Sequence, residues 1–170
     1  MSITTRAALA SASAVLALGG ATLAAAPATA ATVPHCSNAD LRVALVNLQG
    51  TAGSRIGDLR LTNVTRGWCW TRGWSGVSYV GYGNGTQIGK AAVWDAGTVR
   101  TVTLAPGRSV DEPIRFVNVY NYPAATCRPV AVDGLRVYVP GSTLAKFVPY
   151  RTTGCRSTSV NTIFVKPVGA

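Results

Sequence analysis

An all-β fold, an antiparallel two-sheet sandwich of immunoglobulin type with two disulfides, is what this sequence predicts. Three observations predict it: apolar and polar residues alternate along most of the chain, turn dipeptides separate the alternating stretches, and four cysteines all follow an export-type leader.

The alternation defines the strands. Leu41, Val43 and Leu45 interleave with Arg42 and Ala44, Leu59 and Leu61 with Arg60 and Thr62, and Leu135, Val137 and Val139 with Arg136 and Tyr138. A period of two sends one set of side chains to a buried face and the arginines to the wet one. Residues 77–82, 98–104, 114–120 and 160–166 have strand composition and bring the expected total to seven or eight strands. Turns are expected at Asn84-Gly85, Asp95-Ala96-Gly97, Pro106-Gly107, Asp133-Gly134 and Pro140-Gly141. Gly81, Gly83 and Gly85 suit a loose hairpin or a bulged strand end. Short strands spaced by turns in a domain of this size fit a sandwich, with a closed barrel as the alternative. The only helical candidate is a turn at residues 37–41, where Ser37 or Asn38 can cap.

Residues 1–30 read as a signal peptide. Arg6 precedes an apolar stretch at residues 7–18, and the small-residue run ends in Ala28-Thr29-Ala30, an A-x-A cleavage pattern. The apolar part is too short to span a bilayer comfortably. Cleavage near Ala30 leaves residues 31–170, or 170 − 30 = 140 residues, as a single domain with room for a real core. Cys36 lies beyond the cleavage site, behind Val33-Pro34-His35, rather than directly after the apolar stretch. The expectation is therefore a released, secreted protein with at most loose association to the cell envelope.

In an oxidising compartment Cys36, Cys69, Cys127 and Cys155 read as two disulfides, with three connectivities open. The sequential pairing, Cys36 with Cys69 and Cys127 with Cys155, is favoured. Each bridge then closes a loop of roughly thirty residues, worth roughly 3 to 4 kcal/mol on the loop-entropy model. A four-cysteine zinc site is the weaker alternative, because no C-x-x-C pair is present.

Sixteen Lys plus Arg oppose six Asp plus Glu; without Arg6 the mature domain carries 15 − 6 = +9. A field of this sign attracts anionic wall polymers, acidic glycans or anionic surfaces. The simpler role for the same residues is a solubilising surface, since they never run in a block. Export, with no helical basic face, argues against a nucleic-acid partner.

The order of motifs carries a resemblance. Cys36-Ser37-Asn38-Ala39-Asp40-Leu41, then Thr51-Ala52-Gly53-Ser54-Arg55, Leu59-Arg60-Leu61-Thr62-Asn63 and Cys69-Trp70-Thr71-Arg72-Gly73-Trp74-Ser75-Gly76-Val77 open the series. It continues with Val102-Thr103-Leu104-Ala105-Pro106-Gly107 and Leu135-Arg136-Val137-Tyr138-Val139-Pro140-Gly141-Ser142-Thr143, and closes on Cys155. Over nearly the whole mature chain this resembles the actinobacterial exported domains catalogued as domain of unknown function 4232. This chain departs from their pattern in having Trp74-Ser75 where Tyr-Pro is common. The resemblance implies an exported, cysteine-bearing, mostly β domain and supplies no catalytic residues.

Residues for catalysis are scarce. The mature chain has one histidine, His35, beside its new N-terminus, and the expected disulfides consume every thiol, so neither a Ser-His-Asp nor a Cys-His arrangement assembles readily. Asp40, Asp58, Asp95, Asp111, Glu112 and Asp133 are the only acids of the mature chain. Adjacent Asp111 and Glu112 point apart on a strand and read as a solvated edge before Pro113, not as a glycosidase pair. Asp95 and Asp133 lack the acidic loop that calcium needs. No cofactor and no metal are expected.

Recognition has better material. Trp68 and Trp70 share a face if they lie in one strand, and together with Trp74, Arg66 and Arg72 they can stack on sugars or hold an anionic ligand. Their simpler role is to cover the neighbouring disulfide. Trp74, flanked by Gly73 and Gly76, is expected to be the most exposed. The function these features favour is a non-enzymatic, monomeric binding or interaction module at the envelope or outside the cell, its partner an anionic wall polymer, a glycan or another exported protein. A secreted inhibitor of extracellular hydrolases, using residues 120–127 beside Arg128-Pro129, is the alternative.

Overall fold

The computed structural model describes residues 32–170. The expected leader, with Arg6 and Ala28-Thr29-Ala30, lies outside the described residues. The alternation that begins at Leu41 produces a long hairpin, β1 (Leu41–Thr51) and β2 (Ser54–Asn63), turning through Ala52-Gly53. Its register slips between Val46 and Gln49, where Asn47 adopts a left-handed φ of 56° and its side-chain amide donates to Asp58 at 2.8 Å. A bulge of this kind is where an asparagine tolerates positive φ.

The remaining strands are β3 (Cys69–Thr71), β4 (Gly76–Gly81), β5 (Thr86–Ile88), β6 (Val93–Trp94), β7 (Val102–Leu104), β8 (Ser109–Val117), β9 (Pro129–Tyr138), β10 (Ala145–Cys155) and β11 (Ile163–Val165). They form a five-stranded sheet, β1-β2-β8-β11-β6, a four-stranded sheet, β10-β9-β4-β5, and a two-stranded sheet, β3-β7. The protein is mostly β with several antiparallel sheets. Two pairings among the described residues depart from the antiparallel expectation: β6 adds to β11 in parallel, and His35 makes an isolated parallel bridge to Trp70.

Inward-facing residues of both large sheets belong to one apolar cluster. Leu59, Leu61, Ile114, Phe116, Ile163 and Val165 come from the five-stranded sheet, and Val77, Tyr79, Leu135, Val137, Val148 and Tyr150 from the four-stranded one. The Phe116 ring stands 5.9 Å from Tyr79 and 4.8 Å from Tyr150, so the two sheets touch through it. Full burial of such side chains stabilises by roughly 1.5 to 3 kcal/mol each. Cys36–Cys69 is part of this core, whereas Cys127–Cys155 sits in a smaller cluster with Val119, Tyr122 and Val160.

Several local expectations change. Asp133-Gly134, read as a turn, lies within β9, where Gly134 faces Pro149; a Cβ there would meet the Phe147 ring and the Val148 carbonyl at 2.5 Å. The glycine answers to close approach rather than to a turn. The stretch 114–120 leaves the sheet after Val117 and continues as a 3-10 turn, Val119–Asn121, then a short helix, α1 (Ala124–Cys127). Near residue 37 the chain makes a turn in which Asp40, not Ser37 or Asn38, supplies the side-chain acceptor, taking the Ser37 N–H at 2.7 Å. The segment 98–104 is strand only at β7. Among the described residues no helix is long and apolar enough to cross a membrane.

Candidate functional site

Glu112 lies on β8 directly opposite Leu59 of β2, on the inward face of the five-stranded sheet, and is 0 % exposed. The reading of Asp111 and Glu112 as a solvated edge is therefore half wrong. The two side chains do diverge, but only Asp111 faces outward, where Arg60 grips it at 2.7 and 2.8 Å. That grip lowers the Asp111 pKa, and partial burial opposes it. Glu112 points into the protein and takes both its hydrogen bonds from one residue, Ser75: the backbone N–H at 2.6 Å and the hydroxyl at 2.5 Å. Burial pushes its pKa up to about 7 despite these donors, which favour the charged form.

Ser75 sits between β3 and β4 beside Trp74, and both groups are tied to β6. The Trp94 indole N–H donates to the Ser75 carbonyl at 3.1 Å, and the Trp74 indole N–H donates to the Asp95 carbonyl at 3.0 Å. This reciprocal pair of bonds lays the two indoles together, 5.7 Å between centroids and 15° from parallel. Offset stacking of this kind adds roughly 0.5 to 1.5 kcal/mol beyond area burial. Trp94 remains 60 % exposed because β6 is the last strand of its sheet.

Cations and a groove lie next to this shelf. Arg115 covers the Phe164 ring at 4.1 Å and approaches Asp95 at 3.9 Å. Asp58, Asp95, Arg115, Lys166, Phe164 and Ile56 line a shallow groove of ≈ 610 Å³, two carboxylate side chains against two cations. A stacked aromatic pair beside a groove in which Arg115 and Lys166 alternate with Asp58 and Asp95 can receive the flat apolar face of a sugar ring.

A family model described as domain of unknown function (DUF4232) matches residues 36–169. The chain belongs to this family. No curated protein and no solved structure matches it.

In this DUF4232 domain the tryptophans expected to converge go separate ways. Trp68 precedes β3 instead of sharing a strand face with Trp70, and it is 57 % exposed in the loop that also presents Arg66. Trp70 is half-buried with its ring edge-on to His35 at 4.5 Å. Trp74 is half-buried under Trp94, so the expectation that it would be the most exposed fails: the flanking glycines shape the loop, but the indole N–H bond turns the ring inward. Arg72 is exposed in that loop. Trp94 and Ser75 were not legible as site residues, since a two-residue strand carries no alternation and the partners lie 19 and 37 positions apart. Among the described residues, no three His, Cys, Asp or Glu side chains gather where a metal ion would sit.

Proposed function

We propose that this chain is an exported, non-enzymatic domain, its two large sheets forming an immunoglobulin-like sandwich, released as a monomer after cleavage near Ala30. In this reading it binds an anionic wall polymer or glycan at the cell envelope or outside the cell. The observation that carries the reading is the exposed Trp94 ring, stacked on Trp74 beside a groove of mixed charge, with the basic balance of the whole domain supplying the attraction for an anionic partner. Two disulfides, a mature charge of 15 − 6 = +9 and a core shared by two sheets are in keeping with it.

The hydrolase-inhibitor reading has less support. Within residues 120–127 a 3-10 turn ending at Asn121 and a helix from Ala124 leave only Tyr122 and Pro123 extended, a short segment for a protease cleft.

Retention on immobilised anionic wall polymer and on a neutral glycan at low salt tests the proposal. Binding to the anionic polymer that weakens with added salt and is lost in Trp94→Ala supports it. Absence of retention on both matrices at low salt contradicts it.

A further inference from the structure

A second concavity, remote in the chain from the tryptophan shelf, opens where the β1–β2 turn, the end of β8 and strand β10 meet. It encloses ≈ 310 Å³. Its floor is aromatic: Tyr79, Phe116 and Tyr150 all line it, and Phe116 contacts both tyrosine rings.

Tyr79 is 2 % exposed; no hydrogen bond to a described residue holds its hydroxyl, which is not among the fully buried atoms without a partner and so keeps contact with the cleft. The hydroxyl belongs to a residue that lines the cleft, so a ligand there is in position to bond it.

The remaining lining restricts what that ligand can be. Thr51, Ser54, Asn118, Thr152 and Thr153 supply hydrogen-bonding side chains, and Arg55 is the only charged residue among the groups lining the cleft. A polyhydroxylated ligand meets this wall better than a wholly apolar one, and one negative charge meets Arg55 without opposition from a carboxylate. The volume is at the lower end of the range of roughly 300 to 1,000 Å³ usual for ligand sites, which suits one ring rather than an enclosed chain. The walls are already fixed: Gly53 at the hairpin tip accepts from the Asn118 N–H at 3.0 Å and the Asn121 side chain at 2.8 Å.

We propose that this cleft binds a single acidic sugar residue, its carboxylate toward Arg55, its hydroxyls on the Asn118, Thr152 and Thr153 side chains and one hydroxyl on the Tyr79 phenol. The inference goes beyond the tryptophan shelf and stands without it.

Calorimetric titration of the disulfide-bonded protein with glucuronate, glucose and acetate tests it. Glucuronate should bind at least about tenfold more tightly than either comparison ligand, which carry only the ring or only the charge. Arg55→Gln, at an exposed position, should bring glucuronate down to the level of glucose. Tyr79→Phe, which removes one oxygen and keeps the ring, should weaken binding about tenfold. Leu144→Ala, at an exposed position outside both the shelf and the cleft, should leave glucuronate affinity unchanged. Glucuronate binding no tighter than acetate overturns the proposal. So does indifference to both cleft substitutions, or loss of binding in Leu144→Ala alone.

Discussion

The buried carboxylate of Glu112 and the backbone N–H of Ser75 meet at 2.6 Å, across 37 positions of sequence, with the Ser75 hydroxyl closing on the second carboxylate oxygen. Through this contact β8 holds the segment that carries Trp74, and through the Ser75 carbonyl it also holds Trp94. A carboxyl group has been taken into the core, and burial disfavours its charged form, raising its pKa. What it secures is the orientation of an aromatic pair on the surface.

Stability should fall as pH rises from about 4.5 to about 7 and level off above it. With its carboxyl at about 7 in the fold against an ordinary 4.5, Glu112 binds its proton more tightly when folded. Its contribution is complete below pH 4.5 and is lost as pH climbs through 7, because the folded state there must give up a proton the unfolded chain has already released. Urea unfolding at pH 5 and pH 8 should differ by about 2 to 3 kcal/mol in the native protein and by far less in Glu112→Gln. Equal slopes for the two proteins would remove Glu112 as the cause.

Ser75→Ala deletes one of the two donors to Glu112 and leaves the backbone N–H. The expected cost is about 1 to 3 kcal/mol at pH 8, where the carboxylate is charged, and less at pH 5. Chemical denaturation at the two pH values measures it.

The disulfides should differ in what they hold. Sequence separations of 33 and 28 give nearly equal loop-entropy terms, each about 4 kcal/mol. Their surroundings differ: Cys36–Cys69 lies in the main core and Cys127–Cys155 in the small cluster around Val119. Replacing Cys127 and Cys155 by alanine should raise amide exchange mainly at residues 118–128 and 156–162, whereas replacing Cys36 and Cys69 should loosen β3 and the residues before β1. Uniform exchange across the chain in both variants would contradict this division.

Gly89 follows β5 with a φ of +66°, and a Cβ there would run into the Cys155 carbonyl. Gly89→Ala should destabilise by more than about 2 kcal/mol, since left-handed strain and a backbone collision act together. A shift in thermal midpoint of less than a degree or two would show that the loop gives way.

The strands were legible wherever one face of a sheet is buried and the other wet. Leu59 and Leu61, and Leu135 and Val137, alternate because water lies on only one side of them. Strands of two or three residues, such as Val93–Trp94, have no room for a period and owe their place to the neighbour they pair with. Glu112 was misread for a related reason. In isolation an acid beside another acid and a proline looks solvated, and only the fold supplies Ser75 to meet it. Trp94 went unnoticed because nothing near it in sequence names Trp74 as its partner.

The most direct test of the account is a fluorescence titration of the protein with soluble anionic wall polymer, with Trp94→Phe and Trp68→Phe as comparisons. Trp68 and Trp94 are similarly exposed, 57 % and 60 %, but only Trp94 belongs to the stacked shelf. The account predicts a saturable change in emission that survives in Trp68→Phe and disappears in Trp94→Phe. A signal carried by Trp68, or no change in emission at low salt, would contradict it.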